Sequence, residues 1–192
     1  RPAKDAADKV ASVPYDVVNR PEATALADGN PLSFLHVVRP EIDLPAETSA
    51  YADEVYETGR KNLERLLADG HLIQDDAESL FAYRQIMNGV AQTGIVCCCH
   101  VDDYENNLIL KHEKTRKDKE DDRTRHVLTL NVHSGPVFLT YRDVAAVDAA
   151  VAKATETAPL YDFTAPDGVQ HTVWKIEDAA ACVANLTEVP FF

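Results

Sequence analysis

The sequence is poor in cations. Its 192 residues carry 19 Lys and Arg against 32 Asp and Glu, a formal net charge of −13 with a pI near 4.8. Nucleic-acid affinity comes mainly from clustered cations that release counterions, so this deficit argues against nonspecific DNA or RNA binding. Long apolar runs are missing as well. Runs such as Ile95–Cys99 fall far short of the roughly 20 residues that a membrane-spanning helix needs. No charged-then-apolar leader opens the chain, so no membrane partner is expected and the composition fits a soluble, cytoplasmic protein. Cysteine is scarce and poorly placed for a secreted disulfide framework: Cys97, Cys98 and Cys99 are consecutive, and Cys182 stands apart. There is no Walker loop, Rossmann fingerprint, G-x-S-x-G elbow or internal repeat.

What is present fits an ordinary globular domain, 45% apolar and 27% charged, expected as one α+β domain over residues 1–192. Because the chain starts at Arg1 and closes on Val189-Pro190-Phe191-Phe192, which reads as the opening of a strand, it is expected to be the N-terminal fragment of a longer protein. Val10–Val18 is β-rich but interrupted by Pro14, Pro21–Ala27 reads as a short helix stopped by Gly29, and Ser33–Val38 reads as a strand. The clearest helix runs from Ser49 to Ala68. Tyr51, Val55, Gly59, Leu63, Leu66 and Leu67 form its apolar stripe, Gly59 admits a close neighbour, and Gly70 stops it.

Asn88-Gly89 supplies the positive φ angles of a two-residue hairpin turn between Ser79–Met87 and Val90–Val101. That turn dictates a register. Met87 faces Val90, Gln85 faces Gln92, Tyr83 faces Gly94 and Phe81 faces Val96, while Ile86, Arg84, Ala82 and Leu80 face Ala91, Thr93, Ile95 and Cys97 on the other side. Downstream, Pro136–Tyr141 reads as a strand, Val144–Thr155 as a helix, Leu160–Phe163 with Val169–Ile176 as a second hairpin, and Glu177–Leu186 as a closing helix. Hairpins with segregated helices argue for a mixed sheet covered by helices.

Cys97-Cys98-Cys99-His100 resembles a metal motif but has the wrong spacing. Along a strand these side chains alternate faces and cannot converge on one tetrahedral ion, so no zinc is expected and the thiols read as core or half-core groups. Lys111–His126, KHEKTRKDKEDDRTRH, packs seven cations and five acids into sixteen residues. In a helix starting near Lys117 or Lys119, Arg123 shares a stripe with Val127 and Leu130, whereas Asp118, Asp121 and Arg125 face water. An inward arginine needs an internal carboxylate or a bound phosphate, and His112 and Glu113 stand just upstream as proton acceptors. The other open reading is a solvated helix stabilised by its own ion pairs. Tyr15-Asp16 follows Pro14 in a rigid extended segment that is either a turn or a contact. Arg84, Gln85 and Gln92 project from the hairpin for cross-strand pairing or ligand contact. His36, on an apolar stretch, reads as a satisfied core histidine.

Several phrases occur in order: ASVPYDVV, NPLSFLHVVRPE, YRQ followed by QTGIV, HVDDYE, KHEKT with Asp122-Arg123, and GPVFLTY. Together, over essentially the whole chain, they resemble the bacterial family called domain of unknown function 1015. The resemblance implies longer relatives with an Asp-Gly-His-His-Arg motif beyond the equivalent of Phe192, similar to the ParB and sulfiredoxin-like superfamily that includes free-serine kinases. It raises the functional weight of Tyr15, Asp16, His112, Glu113, Thr115 and Arg123, which match family positions; the Cys triplet departs from the family. The expectation that follows is a nucleotide-dependent phosphotransferase acting on a small hydroxylated metabolite, with L-serine foremost, using ATP or ADP and Mg²⁺. Arg123, Arg84 and Lys111 would hold phosphate oxygens, with Glu113 or His112 orienting the hydroxyl. The alternative is a noncatalytic nucleotide- or metabolite-sensing module.

Overall fold

The computed structural model describes residues 1–192 except His112, Glu113, Glu188 and Phe192. In chain order the elements are α1 (Ala7–Val10), α2 (Arg20–Ala27), α3 (Leu35–Val38), a 3-10 turn (Pro40–Asp43), α4 (Asp53–Ala68), β1 (Leu80–Met87), β2 (Val90–Val96), α5 (Val101–Glu105), α6 (Lys117–Leu130), α7 (Ala145–Thr155), β3 (Tyr161–Thr164), β4 (Gln170–Ile176) and α8 (Ala179–Leu186). The class is α+β. The sheet expected to be mixed is antiparallel in every ladder, in the order β2-β1-β4-β3. The chain forms two compact units, residues 1–74 with 115–137 and residues 75–114 with 138–192.

The first unit is helical. α2 opens with a reciprocal cap in which Asn19 Oδ1 accepts from the Glu22 amide at 3.0 Å and the Glu22 carboxylate accepts from the Asn19 amide at 2.8 Å. α4 ends where Gly70 takes φ of 75°, letting the His71 and Gly70 amides reach back to the carbonyls of Leu66 and Leu67. Val55, Gly59, Leu63 and Leu66 are the buried face of α4, while Tyr51 precedes the helix and, like Leu67, is exposed. Gly59 sits against α3 and the 3-10 turn so closely that a Cβ there would lie 2.9 Å from the Val37 carbonyl oxygen and 3.1 Å from Pro40 Cγ.

Ser33–Val38 is not a strand: its last four residues, Leu35–Val38, are helix α3. Leu35 and Val38, three residues apart, enter one apolar cluster with Ala23 and Ala27, while Val37 enters another with Leu63, Leu66 and Leu130. A strand would divide these residues by alternation; a helical turn sends 35 and 38 one way and 37 another. Val10 closes α1, and the segment after it joins no sheet, although Val13, Tyr15 and Val18 pack on the α2–α3 cluster.

In the second unit the first hairpin has the register that Asn88-Gly89 dictates, from Met87↔Val90 to Phe81↔Val96. Asn88 and Gly89 take φ of 53° and 78°. One face of the sheet carries Leu80, Ala82, Trp174 and Ile176 into a core closed by Ala154 of α7 and Cys182 of α8. Pro136–Tyr141 forms no strand: Tyr141 makes only an isolated antiparallel bridge to Phe191, and Val137 and Phe138 stay exposed. Cys97, Cys98 and Cys99 correct the buried-thiol expectation. β2 stops at Val96, its last partner on β1 being Phe81, and all three cysteines are exposed; Cys182 is buried.

Candidate functional site

Helix α6 carries the charged segment and gathers the best-connected polar cluster of the first unit. The Asp122 carboxylate is the hub. Its Oδ1 accepts from the Tyr56 hydroxyl at 2.7 Å, and its Oδ2 accepts from Arg123 Nε at 2.9 Å and lies 2.7 Å from Arg123 Nη2. The Arg123 guanidinium covers the Tyr15 ring, 4.2 Å from its centroid. Desolvation, reinforced by the Asp122 carboxylate, pushes the Tyr56 phenol up to about 12, so Tyr56 remains a donor throughout the neutral range.

One turn along, His126 is 2% exposed. Its Nε2–H donates to the Val37 carbonyl at 2.9 Å, and Ser134 Oγ lies 3.3 Å from Nδ1. Burial holds its pKa below the ordinary histidine value, with the Arg123 charge acting in the same direction, so the ring is neutral. The Tyr15 carbonyl accepts from Arg39 Nη1 at 3.2 Å, and Arg39 Nε lies 2.9 Å from the buried Glu41 carboxylate.

Four more cations of the island find partners within the chain. Arg116 meets Asp118 at 2.7 Å and Lys117 meets Asp121 at 2.5 Å. Lys119 donates to the Tyr51 hydroxyl at 3.3 Å, and Arg125 pairs with Asp53 while lying 4.3 Å from the Tyr56 ring centroid. A cavity of about 260 Å³ between these groups is lined by Tyr51, Tyr56, Asp118, Asp121, Asp122 and Arg125. A second, of about 380 Å³, lies beside His36, whose Nδ1 is 2.8 Å from Asp43 and whose Nε2 is 3.2 Å from the Asn30 carbonyl. With both nitrogens engaged, His36 is the satisfied histidine expected. Among the described residues, no three His, Cys, Asp or Glu side chains stand close enough to hold a metal ion.

The expected site residues therefore divide. Tyr15 and Arg123 are in contact; Asp16 and Thr115, in the same unit, are exposed, Thr115 two residues ahead of α6. In the second unit Lys111 Nζ lies 4.1 Å from the Tyr104 ring centroid. Arg84 donates to Thr93 at 3.1 Å and covers Trp174 at 4.9 Å, whereas Gln92 pairs with Gln85 and projects from the opposite face of the sheet. His112 and Glu113 lie outside the described residues.

A profile of the family described as "Protein of unknown function (DUF1015)" matches residues 1–189. The chain belongs to the DUF1015 family. No curated protein and no solved structure matches it. In this DUF1015 chain the residues that sequence reasoning missed are Tyr56, Asp122, Glu41 and His126. The signal for His126 was present, since it lies three residues after Arg123 and four before the buried Leu130, on the same helical stripe. Asp122 entered only within the phrase Asp122-Arg123, because five acids crowd one segment and spacing alone does not rank it as the partner of Arg123.

Proposed function

We propose that this chain binds the phosphate of a nucleotide and serves phosphoryl transfer to a small hydroxylated metabolite, with L-serine as the leading candidate. One observation supports this above the others. Arg123 spends Nε and Nη2 on Asp122 and its π-face on Tyr15, while among the described residues its Nη1 has no hydrogen-bond partner. A guanidinium immobilised in this way meets a phosphate oxygen with little further ordering cost, and phosphoryl transfer depends mainly on positioning and charge neutralisation. In this reading Arg123 holds a phosphate oxygen and Thr115, in the same unit, contributes a further contact. Tyr15 and Asp16 shape the approach to Arg123. Arg84 and Gln92 project from opposite faces of the sheet and do not share one ligand contact.

Mg²⁺ would come with the nucleotide, since this ion is usually held by one or two carboxylates together with substrate phosphates. A bound ATP supplies the transferable phosphoryl group; the residues here hold and orient it. The test has two parts. Calorimetric titration of ATP and ADP with Mg²⁺ should show binding that Arg123→Ala weakens by about 1.5–3 kcal/mol, the scale of a charge-assisted hydrogen bond, and that Lys119→Ala leaves nearly unchanged. Phosphoserine formation from ATP and L-serine then separates an enzyme from a sensing module, since binding without turnover favours the module. Equal affinities for wild type and both variants would overturn the reading.

A further inference from the structure

Three consecutive thiols in the open are uncommon, because free cysteine is among the most buried residue types. Cys97, Cys98 and Cys99 are all exposed here, whereas Cys182 is buried. They occupy the connection between the end of β2 at Val96 and the start of α5 at Val101, outside any sheet ladder. A reagent in solution therefore reaches them.

We propose that Cys97 and Cys99 form a hydroperoxide-responsive dithiol that closes to an intramolecular disulfide, leaving Cys98 as a bystander. Selectivity follows from ring geometry. A bridge between adjacent cysteines closes a small ring that distorts the planar trans peptide within it, and one intervening residue relieves that distortion.

The chemistry balances with a hydroperoxide as the oxidant. The Cys99 thiolate attacks one peroxide oxygen, the O–O bond breaks, Cys99 becomes a sulfenic acid, and the departing alkoxide or hydroxide takes up the thiol's proton. The Cys97 sulfur then attacks the Cys99 sulfur: the S–S bond forms, the S–O bond breaks, and the Cys97 proton leaves with the hydroxyl as water. Two thiols together lose two electrons and one peroxide gains them. Cys97 suits the second role. Although the residue is exposed as a whole, its sulfur is locally desolvated, and desolvation together with Cys99 pushes the thiol up to about 11, so it is seldom the thiolate that meets peroxide first. The closing step should accordingly quicken as pH rises.

The experiment treats the purified folded chain with hydrogen peroxide and measures intact mass and peptide connectivity. The expected product is a monomer lighter by about 2 Da, bridged between Cys97 and Cys99 and restored by dithiothreitol. The mass loss should persist in Cys98→Ser and disappear in both Cys97→Ser and Cys99→Ser, with unchanged circular dichroism in all three. The proposal is overturned by a bridge that Cys98→Ser abolishes, a bridge to Cys182, a disulfide-linked dimer, or gains of about 32 or 48 Da in place of the loss.

Discussion

Replacing Gly59 by Ala sets helix propensity against packing. Alanine is favoured over glycine in a helix interior by about 1 kcal/mol, so propensity alone predicts stabilisation. The new Cβ would, however, stand 2.9 Å from the Val37 carbonyl oxygen and 3.1 Å from Pro40 Cγ, where ordinary contact begins at 3.4 Å. Relief requires α4 to retreat from α3 by about 0.5 Å, and overpacking of this kind costs about 1–3 kcal/mol. The same carbonyl accepts the buried His126 Nε2–H at 2.9 Å, and weakening that bond costs about 1 kcal/mol more. The expected net effect is a loss of about 1–3 kcal/mol, or a fall of about 1 M in the urea midpoint. Far-UV circular dichroism should report it, since the affected unit is helical and the chain's single tryptophan, Trp174, lies in the other unit. Lys61→Ala, an exposed change on the same helix, is the control and should leave the midpoint almost unmoved. A Gly59→Ala chain as stable as wild type, or more so, would show that α4 and α3 do not approach as described.

Arg20 donates to the carbonyls of Leu44, Pro45, Ala46 and Thr48 at 2.7–3.2 Å, so Arg20→Lys, which keeps the charge but loses the fork, should speed amide hydrogen exchange in residues 44–48. His36 and His126 should titrate on opposite sides of the ordinary histidine value in NMR spectra. The hydrogen bond to Asp43 raises the His36 pKa, so its contribution to stability is complete below about 6.5 and is lost as pH rises through the folded value. Burial lowers the His126 pKa, so its contribution is complete above about 6.5 and is lost as pH falls through the folded value. A stability profile without a flank on each side of that value would contradict both assignments. Gly89→Val, at φ of 78° in the hairpin turn, should cost about 1–2 kcal/mol, measured by urea denaturation followed through Trp174 fluorescence.

Much of the second unit could be read in advance because its information is local. Asn88-Gly89 specifies turn type, and turn type specifies every pair of the first hairpin. Helix α4 was equally legible, since its stripe repeats at helical spacing and Gly70 marks its end. Ser33–Val38 was not: Val37 and Val38 favour a strand by propensity, but Leu35 and Val38 enter one apolar cluster and Val37 another, a grouping that strand alternation forbids and only tertiary packing reveals. Pro136–Tyr141 and the cysteines failed for a related reason. A β-prone segment becomes a strand only when another strand meets it, and whether one does is not written in residues 97–99 or 136–141 themselves. At the candidate site, spacing placed Arg123 on the correct stripe. It could not say that the neighbouring Asp122 turns with it and supplies the internal carboxylate.

That pairing limits what Arg123 can bind. Beside Asp122 the guanidinium is nearly neutral as a unit, and the chain around it carries a net charge of −13. A bare phosphate approaching Nη1 thus meets little attraction and a repulsive background, which salt screens over about 8 Å at physiological ionic strength. A phosphate that arrives with its own divalent cation meets much less repulsion, and the directional N–H bond is then what remains to hold it. The proposed ligand is accordingly a Mg²⁺-nucleotide and not free phosphate. Because the hydrogen bond is short-ranged and Arg123 is only 29% exposed, its affinity should depend weakly on added monovalent salt. Binding through the exposed Lys117 and Lys119 would show the opposite dependence, so the salt slope distinguishes one positioned arginine from a charged surface that merely happens to be near.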